Sequence, residues 1–107
     1  MCGVMMFSDI YVTTANLEEA QRIARTIVAE ELGACINIHP IKSVYRWQGN
    51  IEEGDEYAIS IKTKTHLVNK VTSRVRQLHS YENPCVISFK IESGSQPYLD
   101  WIQQETL

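Results

Sequence analysis

Two stretches with the period of a helix alternate with stretches that have the period of a strand, and that order narrows the fold more than any other feature of this chain. Phe7 to Thr14, FSDIYVTT, is aromatic and β-branched over a strand's length. Asn16 then stands three residues before Glu19, an N-cap with its capping-box partner. Ala20, Ile23, Ala24, Ile27 and Val28 follow at the spacing of one buried helical face, and Gly33 is expected to supply the left-handed residue that closes the helix near Leu32. From Ala34 the pattern alternates, with Ile36 and Ile38 on one parity and Ile41, Tyr45 and Trp47 on the other. The switch falls at Pro40, where a bulge would restore a common face and where the missing N–H predicts an edge strand.

Gln48, Gly49 and Asn50 predict a tight turn, and Tyr57, Ile59 and Ile61 alternate after it, so the two strands form a hairpin. Leu67, Val71, Val75 and Leu78 predict a second amphipathic helix, with Thr65 as its candidate cap and Lys70, Arg74 and Arg76 on its polar side. Cys85, Ile87, Phe89 and Ile91 share one parity of a last strand, and Pro97 opens a short terminal helix through Tyr98, Trp101 and Ile102. Strand, helix, hairpin, helix, strand is the order of an α+β, ferredoxin-like split βαββαβ sandwich, here with a long hairpin and a helical tail. The 107 residues suit one domain, 1–107, and show no compositional break.

The hairpin arms, Ala34 to Trp47 and Ile51 to Thr63, would each extend about 40 Å at ~3.3 Å per residue. A compact domain of this length has a diameter of only about 34 Å. The hairpin is therefore expected to overhang its own domain and expose Val44, Tyr45 and Trp47, a patch that another copy would cover in a closed ring. The alternative is a hairpin folded back at Pro40, with Tyr45 and Trp47 packed on their own core.

Ten Lys and Arg against thirteen Asp and Glu give a net charge of −3, without the basic footprint that nucleic acid demands. The apolar run Met1 to Phe7 is too short for a membrane span or a signal-peptide core, which points to the cytoplasm. Three cysteines with no CxxC spacing fit reduced thiols, with Cys35 as a core residue.

Several local motifs together resemble the CutA divalent-cation-tolerance family: YVTT before an acidic capped helix, ACIN at Ala34 to Asn37, and SVYRWQG from Ser43. Glu56, the Lys62-Thr63 pair, His79 with Tyr81, Glu82 and Pro84, and YLDWI from Tyr98 complete the set. The resemblance implies a homotrimer similar to the PII signalling proteins, a link to divalent cations and copper especially, and no known enzymatic reaction. It also implies a metal site at His79, Cys85 and Thr13. The family's HPYEVPE-like stretch reads HSYENPC here, with Ser80 for proline and Cys85 for the acidic residue.

Imidazole suits copper(II) and thiolate suits copper(I), so His79 with Cys85 is a chemically sound pair, although two ligands alone make a weak site. A second function class is a sensor of a small molecule in clefts between subunits, with Lys62, Glu56, Trp47 and Tyr81 near the cleft. Val44, Tyr45, Trp47 and Trp101 are the expected interface residues. Met1-Cys2-Gly3 matches the start of class II glutamine amidotransferases, whose nucleophile is an N-terminal cysteine, but three residues carry little weight. The common catalytic signatures are otherwise missing, which favours binding over catalysis.

Overall fold

A computed structural model describes residues 5–107 of the chain; the Met1-Cys2-Gly3 motif lies outside the described residues. The elements run β1 (Phe7–Thr14), α1 (Leu17–Ala29), β2 (Cys35–Trp47), β3 (Asn50–Lys64), a 3-10 turn (Thr65–Leu67), α2 (Val68–Leu78), β4 (Val86–Ile91) and α3 (Gln96–Glu105). One antiparallel sheet, ordered β2-β3-β1-β4, carries the expected split βαββαβ topology. Ile10 and Val12 pair with Ile61 and Ile59, and this face of the sheet packs on Ala20, Ile23 and Ile27 of α1 and on Val71 and Val75 of α2. Each of these side chains is fully buried, so the stripes predicted for both helices form the core, except at Val28, which is exposed beyond the end of the α1 stripe.

The Asn16 cap forms as expected: its Oδ1 accepts the Glu19 N–H at 2.8 Å. Glu19 reaches back to the N–H of Ala15, one residue before the cap, at 3.0 Å. At its other end α1 closes differently from expectation. Glu31, not Gly33, is the left-handed residue, with φ 60°. Glu31 N–H bonds the Val28 carbonyl and Leu32 N–H bonds that of Ile27, both at 3.0 Å, the two bonds of a Schellman motif. Gly33 serves packing instead, since a Cβ there would lie 2.8 Å from Ile61 Cγ2 and 3.0 Å from Ile27 Cγ2.

Thr65 does not cap α2. Its hydroxyl shares a hydrogen bond with Ser8 at 2.8 Å, and its N–H donates to Met6, so it pins the end of β3 to the start of β1.

β2 is an edge strand, as Pro40 requires, yet no bulge marks the proline. The β2–β3 register runs unbroken from Cys35↔Lys62 to Trp47↔Asn50. The parity switch is therefore real: Ile36 and Ile38 face the helices, while Ile41, Tyr45 and Trp47 belong to the opposite face. Tyr98 of α3 lies beside Cys35 and Asp9 on that opposite face, so α3 covers one end of it. Ile87 and Phe89, on the parity that the sequence groups with Cys85, also belong there, opposite Tyr11 and Asp9. They stay exposed, and Val86 is the β4 residue that packs on the core.

β1 pairs with β3 only as far as Thr14↔Tyr57. The rungs from Ile41↔Glu56 to the tip have β2 and β3 alone, about 20 Å of free ribbon at ~3.3 Å per residue. The domain measures 52 × 25 × 21 Å, with a radius of gyration of 14.8 Å against the ~13 Å of a compact chain. The hairpin overhangs and does not fold back. Gln48 and Gly49 at its tip both have positive φ, as a tight two-residue hairpin turn requires.

Candidate functional site

Sequence placed three groups of residues near function, and the fold distributes them between the hairpin tip, the hairpin root and the end of β1. At the tip, Tyr45 and Trp47 project from one face of the ribbon, and Val44 with Ile51 from the other. Trp47 is 59% and Ile51 69% exposed. Both faces of the arm thus carry apolar groups, which water alone does not favour on so thin an element. Trp101 lies elsewhere, on α3, its ring 5.5 Å from that of Tyr98.

The four cleft residues do not form one cluster within a single chain. Glu56 and Tyr81 meet at the root of the hairpin, where the phenol donates to Glu56 Oε2 at 2.8 Å. Partial burial, then the bond to the Glu56 carboxylate and its charge, hold the Tyr81 phenol well above the usual range, with Glu19 and Tyr45 adding to the effect. Lys62 lies six residues along β3, about 20 Å from Glu56, and Trp47 is at the far tip. The Lys62 ammonium donates to Asn37 Oδ1 and to Ser60 Oγ, and Ser60 donates to Asp9 Oδ1 at 2.6 Å. This polar row across β2, β3 and β1 was not singled out from sequence. Pairing the strands in register would have found it, because Asp9 and Cys35 are both rung partners of Lys62 and Asn37 is that of Ser60.

At the end of β1, Thr13 and His79 meet through the Thr13 backbone carbonyl, 2.7 Å from His79 Nε2. His79 Nδ1 accepts the N–H of Tyr81 at 3.0 Å, and its side chain is 0% exposed. Glu19, also buried, accepts the Ser80 N–H at 2.7 Å and has its other oxygen on Ala15 N–H. Burial pushes the Glu19 carboxyl up, but the bonds from Ala15 and Ser80 outweigh it and hold the group below the usual range. Cys85 is a free, exposed thiol just before β4. As folded, the trio does not make a cage for copper: both imidazole nitrogens are engaged, and Thr13 faces His79 with a carbonyl. Among the described residues, no group of three or more His, Cys, Asp and Glu is placed to hold a metal ion.

The fold is shared with known proteins. The family model of the CutA1 divalent ion tolerance protein matches residues 8–105. The chain belongs to the CutA1 divalent ion tolerance family. A CutA1-family relative, the divalent-cation tolerance protein CutA of Archaeoglobus fulgidus, is 42% identical over 92% of this chain and 97% of its own length. Human Protein CutA is 44% identical over 92% of this chain, which spans only 56% of the human protein. The solved structure of the periplasmic divalent cation tolerance protein CutA from Archaeoglobus fulgidus superposes with a TM-score of 0.92, covering 94% of this chain and 98% of that one. CutA1 from Oryza sativa gives 0.93 at 38% identity, covering 95% and 94%. Among the described residues, no CutA1 helix is long and apolar enough to cross a membrane.

Proposed function

We propose that this chain works as a non-enzymatic homotrimer that binds divalent cations, and copper in either oxidation state foremost, as part of metal-ion tolerance. The observation that carries the assembly is the free ribbon with apolar groups on both faces. Ile87 and Phe89 on β4, and Trp101 on α3, are exposed too and offer unlike surfaces to receive it. Contact between unlike surfaces closes into a ring when the rotation permits. Burying Tyr45 and Trp47 there supplies the large aromatic contacts that stable interfaces use.

Copper rests on the family and on the donor types. With His79 engaged, the exposed Cys85 thiol is the open donor of the trio, and a soft thiolate prefers copper(I). Calorimetric titration of copper(I) and copper(II) into the wild type and Cys85→Ala tests this. The expected result is loss of copper(I) binding in the variant; an unchanged isotherm removes Cys85 from the site.

A sensor of a small molecule is the second reading, and the Glu56–Tyr81 pair at the hairpin root favours it, because a neighbouring copy would cover that place and enclose a cleft. Trp47 and Lys62 would then reach the cleft from other copies. A thermal-shift screen with nucleotides and anionic metabolites separates the two: a metabolite that raises the melting temperature when copper does not supports the sensor. The free Cys35 and Cys85 fit a reducing compartment, so we place the protein in the cytoplasm, and cell fractionation checks that placement.

A further inference from the structure

Three successive residues after α2 are tied to three different elements. His79 bonds the Thr13 carbonyl at the end of β1, Ser80 donates its N–H to Glu19 of α1, and Tyr81 donates its phenol to Glu56 of β3. Arg22 of α1 adds a bond to the Leu78 carbonyl at 3.0 Å, just before the three. We infer that His79 is closed to metal and acts as a positioning residue, a neutral imidazole that locks the loop after α2 and through it orients Tyr81 at the root of the hairpin.

The tautomer follows from the partners. A carbonyl oxygen only accepts, so the His79 nitrogen 2.7 Å from Thr13 carries the proton. A backbone N–H only donates, so the nitrogen facing Tyr81 is bare. Metal-bound imidazoles commonly donate their remaining N–H to a carbonyl, and the bond to Thr13 would suit such a ligand if Nδ1 were open. It is not open. A metal at Nδ1 would evict the Tyr81 N–H and remove the backbone tie between Tyr81 and the buried ring, leaving Tyr81 held by its phenol alone. Glu19 Oε2, 3.9 Å from Nδ1, accepts the Ser80 N–H, so turning it toward a metal would loosen that bond as well. The His79 and Tyr81 rings, 4.8 Å apart and tilted, pack on each other and fill the space between them.

Long-range ¹H–¹⁵N NMR of the wild-type protein tests the first half without any variant. The expected spectrum has one histidine protonated on Nε2, with shifts unmoved by excess zinc(II) and lines broadened by copper(II) only after those of the exposed His39 and His66. A His79 signal that shifts or broadens first, at less than one equivalent of metal, overturns the inference and leaves trimer formation untouched. Amide exchange of Ser80 and Tyr81 tests the second half. It should speed up roughly 10- to 100-fold in His79→Ala, and His79→Gln, which keeps a donor for Thr13, should restore most of the protection. Protection that is the same in both variants as in the wild type would show that the loop holds without His79.

Discussion

The phenol of Tyr81 reaches Oε2 of Glu56 across 2.8 Å, and Glu56 forms, with Ile41, the first rung of the hairpin beyond the end of β1. The free ribbon therefore leaves the domain with its root braced by a side-chain bond from the loop after α2. Tyr81→Phe removes that brace and nothing else. It is expected to cost about 0.5–1 kcal/mol, because the pair is partly exposed. Hydrogen exchange should quicken at Ile41 and Glu56 while the β1–β3 amides keep their protection.

The end of α1 offers a pair of opposite substitutions. Glu31 sits in the left-handed region without the freedom of glycine, so Glu31→Gly should stabilise by roughly 0.5–1 kcal/mol. Two residues on, Gly33→Ala pushes a methyl into Ile61 and Ile27 and should destabilise by about 1–3 kcal/mol. Denaturant midpoints of the two variants should move in opposite directions.

Glu19 sets an acid limit on stability. Its folded value lies below the ordinary 4.5, so the folded chain binds fewer protons than the unfolded chain as pH falls. The contribution is complete above about pH 4.5 and is lost as pH drops through the folded value. Glu19→Gln should cost roughly 1–2 kcal/mol at pH 7, since it replaces a carboxylate that accepts from both Ala15 and Ser80. The difference between wild type and variant should shrink below about pH 4 in urea unfolding followed over pH.

What could be read from the residues was whatever repeats at a local period. The core stripes of α1 and α2, the Asn16 cap, the edge position of β2 and the overhang all follow from spacing and reach. The departures come from contacts between residues far apart in sequence. Gly33 reads as a helix stop because glycine commonly is one, but its neighbour Ile61 decides its role. The shared parity of Ile87 and Phe89 gives them one face of β4 but not which one, and they lie exposed on the face away from α1 and α2. Pro40 invites a bulge only if Tyr45 and Trp47 must share a face with Ile36; on a ribbon exposed on both faces, that need disappears. His79 and Thr13 meet through a ring nitrogen and a backbone carbonyl, and periodicity says nothing of which atoms meet.

Self-association through the hairpin tip is the central claim, and sedimentation velocity across micromolar concentrations tests it most directly. The wild type should sediment at three times the 12.2 kDa protomer, and the double variant Tyr45→Ser, Trp47→Ser at the protomer mass with its circular dichroism retained. A wild-type monomer at every concentration, or a double variant that still sediments as a trimer, would contradict it.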